Sequence, residues 1–307
     1  MEKIRMTTVG AASQKIRKKI DRTPVFFCAP FLIVFFLFTV LPVVMSLALS
    51  FTDFNMLNFP KFVFMNNYTR LLFKDKVFIT GVKNTIVLAL LIGPGGYLLS
   101  LMFAWFISNL KPKLRAFVTV VFYAPSISGN MYLIWQTMFS SDEYGYVNSI
   151  LTKLGIIHQP VLWLQNPKYI IPIVSIVALW TSLGTSFLSF IAGFQGIDKT
   201  YYEAGAIDGI KNRWQELWFI TLPQIRPQML FSAVMSITGA FGVGTIITAL
   251  CGYPTSDYAG HTIMNHLTDY GGMRFEMGYA SAIATVLFAL MVGTNMLVQK
   301  VIAKVGE

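Results

Sequence analysis

Charge is scarce in this chain. Asp, Glu, Lys and Arg make up 12% of its 307 residues, about half of what a globular domain carries. Hydrophobic residues make up 55%, more apolar surface than one soluble domain of this size could hide. There are 2 cysteines and 3 histidines, too few and too scattered for a disulfide framework or a zinc site. The sequence also lacks the phosphate-binding G-x-x-x-x-G-K-[ST] pattern, because "GPGG" at Gly93–Gly96 has neither the lysine nor the spacing. That glycine cluster is read as a helix kink or a close-packing site. No Gly-x-Ser-x-Gly or nucleophile–base pair is visible, so the chain shows no catalytic constellation and no energy source of its own.

The scarcity is organised. Six long stretches contain no Asp, Glu, Lys or Arg: 23–52, 84–110, 116–141, 169–197, 227–256 and 277–299. Each is long enough for the roughly 20 helical residues that cross a bilayer core. Within lipid every backbone polar group must be paired inside its own segment, which selects helices. Barrel strands would show alternation over about 10 residues instead. The expected fold is therefore an all-α membrane protein with helices near 25–51, 84–109, 116–140, 169–194, 228–251 and 277–301. These form a transmembrane domain over 25–305, after a basic segment over 1–24.

Of the 24 Lys and Arg residues, 16 fall in the N-terminal segment, the second–third connection, the fourth–fifth connection and the tail. By the positive-inside rule those parts are cytoplasmic, and so are both termini. The net charge of +10 is thereby a matter of topology and anionic lipid rather than of nucleic acid. One feature runs against the rule: the first loop on the opposite side carries Lys61, Arg70, Lys74, Lys76 and Lys83. The helical stretches hold no ionisable group in their cores, where an ion-coupled carrier would need one.

The most polar part of the second half is "YYEAGAIDGIKNRWQELWFITLP", inside a cytoplasmic loop over 198–226. Thr200 and Glu203 have the spacing of a capping box, and Gly209 is placed to end that helix. Asn212 and Gln215 repeat the start pattern. Trp214, Leu217 and Trp218 follow at i, i+3, i+4, and Pro223 is expected to stop the second helix. Two helices this short are marginal alone and need a surface to pack on. On chemistry alone, Glu203 could equally be only a cap and the tryptophans only interface residues.

Glu203, Ala204, Asp208, Gly209, Ile220, Leu222 and Pro223 together resemble the "EAA" loop of the inner-membrane permease subunits of binding-protein-dependent ABC importers. Gly205 stands where a second alanine is usual, and the interval from Gly209 to Ile220 is one residue longer than usual. "LPVVMSLALSFTDFN", Asn84-Thr85, "YAPSISG", "IWQTMF", "GYVNSILTKLG", "CGYPT" and "MGYASAIAT" extend the resemblance along the chain, toward the maltose-type large permease of the sugar branch.

The resemblance implies a type-I importer permease fold in a prokaryotic inner membrane. It implies three kinds of partner: a second, different permease, two ABC ATPase subunits and an extracytoplasmic solute-binding protein. It also implies no cofactor in this chain, with ATP and Mg held by the ATPases. The 198–226 loop would supply a coupling helix seated in a groove of the ATPase, with Glu203, Ala204, Gly205, Asp208, Gly209, Trp214, Trp218, Ile220, Leu222 and Pro223 as its residues.

Sugars are held by aromatic faces and by hydroxyl and amide groups. Pathway candidates on that chemistry are Tyr123, Ser126, Asn130, Trp135 and Gln136, then Trp180, Thr181, Ser182 and Ser186, then Ser236, Thr238 and Thr245. Small hydroxyl residues in such helices also serve close helix packing. A permease for a non-sugar solute, and a passive channel or ion-coupled carrier, stay open as alternatives.

Overall fold

The structure is a computed structural model and describes residues 23–129 and 131–302. Among them it is helical, with no strand beyond one isolated bridge, Thr52 to Phe62. The expected basic segment over 1–24 lies almost wholly outside the described residues, as do 303–305. Among the described residues four helices are long and apolar enough to cross a membrane, or up to six if each of two bent pairs counts as one span.

The first is α1, Val25–Leu49. The described residues 23–45 belong to a unit of their own. Phe, Leu, Ile and Val lie all round α1, as a helix immersed in lipid requires. A wide π turn, Phe36–Val40, precedes Pro42; loosening the ladder there accommodates a residue without an N–H.

The second unit begins at Ser46. Its axis is α2, Lys76–Ser108, with α3, Pro112–Ile127, and α4, Met131–Met138, after it. Next come α5, Pro167–Thr181, and α6, Thr185–Gln195, which together make one span. The loop helices α7, Lys199–Ile207, and α8, Arg213–Glu216, lead to α9, Arg226–Phe241, α10, Gly244–Cys251, and α11, Met277–Ile302.

Three boundaries differ from expectation. The helix expected near 84 starts at Lys76, because the Asp75 side chain accepts the Phe78 N–H at 2.9 Å and caps it there. At 33 residues α2 is roughly 50 Å long, more than a bilayer with its headgroups, so charge within its first two turns does not end it. The 116–140 span is broken after Ile127, and the 228–251 span bends by 43° between α9 and α10. Neither break shows in the charge pattern, because no Asp, Glu, Lys or Arg falls near either one.

The bundle closes on small residues. α2 packs on α6, α9 and α5, and α9 on α11. A Cβ on Gly96 would come within 2.8 Å of the Ser182 Cβ, so the expected close-packing site in "GPGG" is where α2 meets the end of α5. Ser186 Oγ donates to the Ser232 carbonyl and Ser232 Oγ to the Ser186 carbonyl, at 3.1 and 3.2 Å, tying α6 to α9.

The Asp75 end of α2 is fastened by a buried polar chain. His266 Nε2 lies 3.1 Å from Asp75 Oδ2, and His261 Nε2 lies 2.9 Å from His266 Nδ1. The Tyr279 hydroxyl donates to the same Asp75 oxygen at 2.9 Å. A carboxylate accepts, so His266 Nε2 carries the proton, His266 Nδ1 accepts and His261 Nε2 donates. His261 Nδ1 is then left as a bare lone pair, buried without a partner.

Burial, and then the neighbouring His266, push His261 down to about 4. Burial lowers His266 as well, although Asp75 and Asp269 oppose it. Burial works against the Asp75 carboxylate, yet the bonds from Phe78, Tyr279 and His266 outweigh it and hold Asp75 below its usual value. Arg70 lies over the Tyr279 ring and pairs with Glu276, and Arg274 pairs with Asp269 beside Tyr270.

Both histidines are depressed, so the open segment binds more protons than the closed one between about pH 6.5 and 4. The fastening is complete above that window and weakens as pH falls through it. Hydrogen-exchange protection over 252–276, taken relative to the intrinsic rate at each pH, should therefore fall from pH 7 to pH 5. His261→Asn, which does not titrate there, should flatten that dependence.

Candidate coupling surface and polar cavity

The quoted loop folds as two short helices at the Ser108 end of α2, but its first cap is Asp198 rather than Thr200. The Asp198 side chain accepts the Thr200 N–H at 3.0 Å, which also holds its carboxyl below the usual range. Aspartate two residues earlier wins because its carboxylate complements the helix N-terminus. Glu203 is then not a capping-box partner; it stands exposed on α7.

The end of α7 is as expected. Gly209 sits at φ +93°, Ile210 N–H donates to the Gly205 carbonyl at 2.9 Å and Gly209 N–H to Ala206 at 3.4 Å. This is a Schellman stop, with Asp208 as C-cap. Asn212 caps α8 by accepting the Gln215 N–H at 2.9 Å, while the Gln215 side chain takes the Lys211 N–H rather than that of Asn212.

Past α8 the chain stays helical through a π turn, Leu217–Thr221, and a short segment, Leu222–Gln224. Pro223 therefore does not stop the helix. It follows a wide turn that has already shifted the ladder, as Pro42 does in α1. Trp214, Leu217 and Trp218 do not share a face either: Leu217 is buried, while Trp214 and Trp218 are 62% and 66% exposed.

Most of the expected coupling residues face either inward or outward, with Trp214 and Pro223 between the two. Gly205, Ile220 and Leu222 face inward. A Cβ on Gly205 would be 3.1 Å from the Ile210 Cδ1 and tighter still against the Ile220 side chain. Glycine here makes room for Ile220, beyond any softening of the helix. Tyr202 bonds the Thr221 hydroxyl at 3.1 Å and Trp214 packs on Trp105 at 4.8 Å, so the loop is seated on the bundle. Outward stand Glu203, Ala204, Asp208 and Trp218, joined by Ile207 at 88% exposure. Ile207 was missed in the sequence; its signal is an isoleucine one turn after Glu203, where a solvated face would be polar.

Between α3, α5, α6, α9 and α10 lies a cavity of about 390 Å³. Tyr123, Ser126, Thr181, Ser182, Ser186, Ser236 and Thr245 all line it. Tyr132 and Thr185 line it too; both are polar neighbours of chosen positions. Other candidates lie elsewhere. Gln136 donates to the Ala249 carbonyl at 2.6 Å and borders a separate cavity with Asp142. Trp135 and Trp180 pack edge to face, 5.4 Å apart. Thr238 bonds back to the Val234 carbonyl at 2.9 Å, and Asn130 lies outside the described residues. Among the described lining residues none is Asp, Glu, Lys or Arg, and among all described residues no group of three or more His, Cys, Asp and Glu is placed to hold a metal.

Residues 96–305 match the family described as the binding-protein-dependent transport system inner membrane component. The chain belongs to that family. It is thus a multi-pass inner-membrane permease subunit. It is 33% identical over 298 residues to the probable ABC transporter permease protein YesP of Bacillus subtilis, covering 93% of each. It is 28% identical to the arabinooligosaccharides transport system permease protein AraP of the same organism, covering 89% of this chain and 86% of that one. Its fold matches a chain of a bacterial ABC transporter that imports the acidic polysaccharide alginate, with a TM-score of 0.74 over 94% of this permease and 99% of that chain, at 24% identity. The match establishes the type-I importer permease architecture expected from the sequence.

Proposed function

We propose that this permease forms half of the membrane pathway of an ATP-driven importer for a neutral sugar or oligosaccharide. The observation that carries the reading is the hydroxyl-lined, uncharged cavity. Serine, threonine and tyrosine can exchange hydrogen bonds with sugar hydroxyls, while no fixed charge is offered to an ion or an acidic solute. The permease relatives named for arabinooligosaccharides support a carbohydrate.

The partners of this reading are a second permease that completes the pathway, two ATPase subunits that bind ATP and Mg, and a solute-binding protein that delivers cargo from outside. The chain carries no cofactor of its own. The face of Glu203, Ile207 and Trp218 docks the ATPase as a helix in a groove. ATP-driven closure of the ATPase pair then biases the permease pair between inward- and outward-facing states.

Deletion of the chain should abolish uptake of a labelled neutral oligosaccharide and spare amino-acid and phosphate uptake. The reverse pattern would overturn the sugar assignment. The reading also places the 198–226 loop and both termini in the cytoplasm. In a background without Cys28 and Cys251, a cysteine at Asn212 should react only from the cytoplasmic side, and one at exposed Glu143 only from outside. The opposite pattern would remove the coupling role.

A further inference from the structure

The loop between α1 and α2 holds large apolar side chains out of the fold. Leu57 is 89% exposed, Phe59 95% and Phe73 79%. A slack loop could fold such groups away, but this one is braced. Asp53 N–H donates to the Lys61 carbonyl at 3.1 Å, and the Asp53 side chain accepts the Lys61 N–H at 2.8 Å. Val63 N–H donates to the Phe51 carbonyl at 2.8 Å, and Asn55 Oδ1 accepts the N–H groups of Leu57 and Asn58. At its base, Asn67 donates to the carbonyls of Ser50 and Thr52, and Gly278 N–H to that of Phe54. A braced apolar patch marks a contact surface.

Its charge says what it contacts. Lys61, Lys74 and Lys76 are exposed around the patch. The acidic residues of the same stretch are engaged within the fold: Asp53 on the Lys61 backbone, Asp75 on α2, Tyr279 and His266. Its height follows from α2, whose exposed stripe reads Lys76, Ile79, Lys83, Ile86, Leu90. Lysine at the first and third positions, followed by unbroken aliphatics after Lys83, sets the headgroup level between Lys76 and Lys83. The loop joins α2 at that end, with exposed Phe73 two residues before the Asp75 cap. A protein partner fits less well, since lysine is depleted from protein–protein contacts. Of the basic residues that broke the positive-inside pattern, the four lysines are then accounted for, and Arg70 is held within the fold by Glu276.

We propose that residues 51–76 form an interfacial foot on the phospholipid surface, with Leu57, Phe59 and Phe73 at the headgroup–acyl boundary and Lys61, Lys74 and Lys76 on the phosphates of anionic lipids. The inference does not rest on the cargo or on sidedness.

A nitroxide label at Phe59→Cys, with Cys28 and Cys251 replaced by serine, tests it in the complete transporter in nanodiscs. In anionic lipid the label should be reached by oxygen in preference to a water-soluble nickel chelate, the reverse of a label at Glu143→Cys. That ratio should invert in the Lys61→Glu/Lys74→Glu/Lys76→Glu variant and fall in nanodiscs of zwitterionic lipid alone. Chelate access equal to that at Glu143 would overturn the proposal, and so would shielding from both relaxants, which would mean a protein partner. Equal depth in both lipids and in the triple variant would overturn the role of the lysines.

Discussion

Gly209→Val is expected to leave the permease at normal abundance in the membrane while the ATPase subunits no longer co-purify with it and ATP-driven uptake is lost. At φ +93° a β-branched side chain costs roughly 1–3 kcal/mol, and the Schellman bonds from Gly209 and Ile210 break if the chain relaxes. The damage is confined to the turn, because Gly209 is exposed, nothing lies within 4 Å of its Cβ position, and α2, α6 and α9 pack elsewhere. What moves is the angle between α7 and α8, and with it the spacing of Ile207 from Trp218. Glu203→Ala removes no observed cap and should weaken ATPase retention without loosening α7. Asp198→Ala, which removes the cap, should cost about 1 kcal/mol locally. Full transport in Gly209→Val with the ATPases still bound would make the loop a connector only.

Thr245→Trp should produce the complementary defect. Thr245 is exposed at the lining of the polar cavity, so an indole can enter without displacing a packed core residue. Filling much of a 390 Å³ space should reduce uptake at least tenfold, which corresponds to about 1.4 kcal/mol on the limiting step. ATPase subunits should remain bound, and their hydrolysis should continue. Unchanged uptake would place the cargo route elsewhere. The two variants thus separate docking from passage.

The two short helices of the 198–226 loop were legible because their signals are local. A glycine after Asp208 and an asparagine before Arg213 fix a stop and a start by backbone geometry alone. What misled was competition between neighbours: Asp198 and Thr200 can each cap α7, and only tertiary placement chooses. The π turn before Pro223 was invisible, since hydropathy does not report a widened ladder. The span count came from charge-free windows, and the same rule misplaced the start of α2, because Asp75 caps that helix ahead of Lys76 and Lys83. The cavity gathered Tyr123, Ser126, Thr181, Ser182, Ser186, Ser236 and Thr245 because a polar face on each of several helices must meet in the interior. Gln136 and Trp135 share that chemistry, but Gln136 is taken up by the Ala249 carbonyl and Trp135 by Trp180, while Tyr132 of the same helix reaches the cavity.

The most direct measurement is uptake of a labelled neutral oligosaccharide into vesicles holding the reconstituted permease pair and its ATPases, with the solute-binding protein outside. Uptake is predicted only when ATP is present on the ATPase side and the binding protein on the other, with no response to a proton or sodium gradient. Uptake that proceeds without ATP, or follows an imposed ion gradient, would contradict the account.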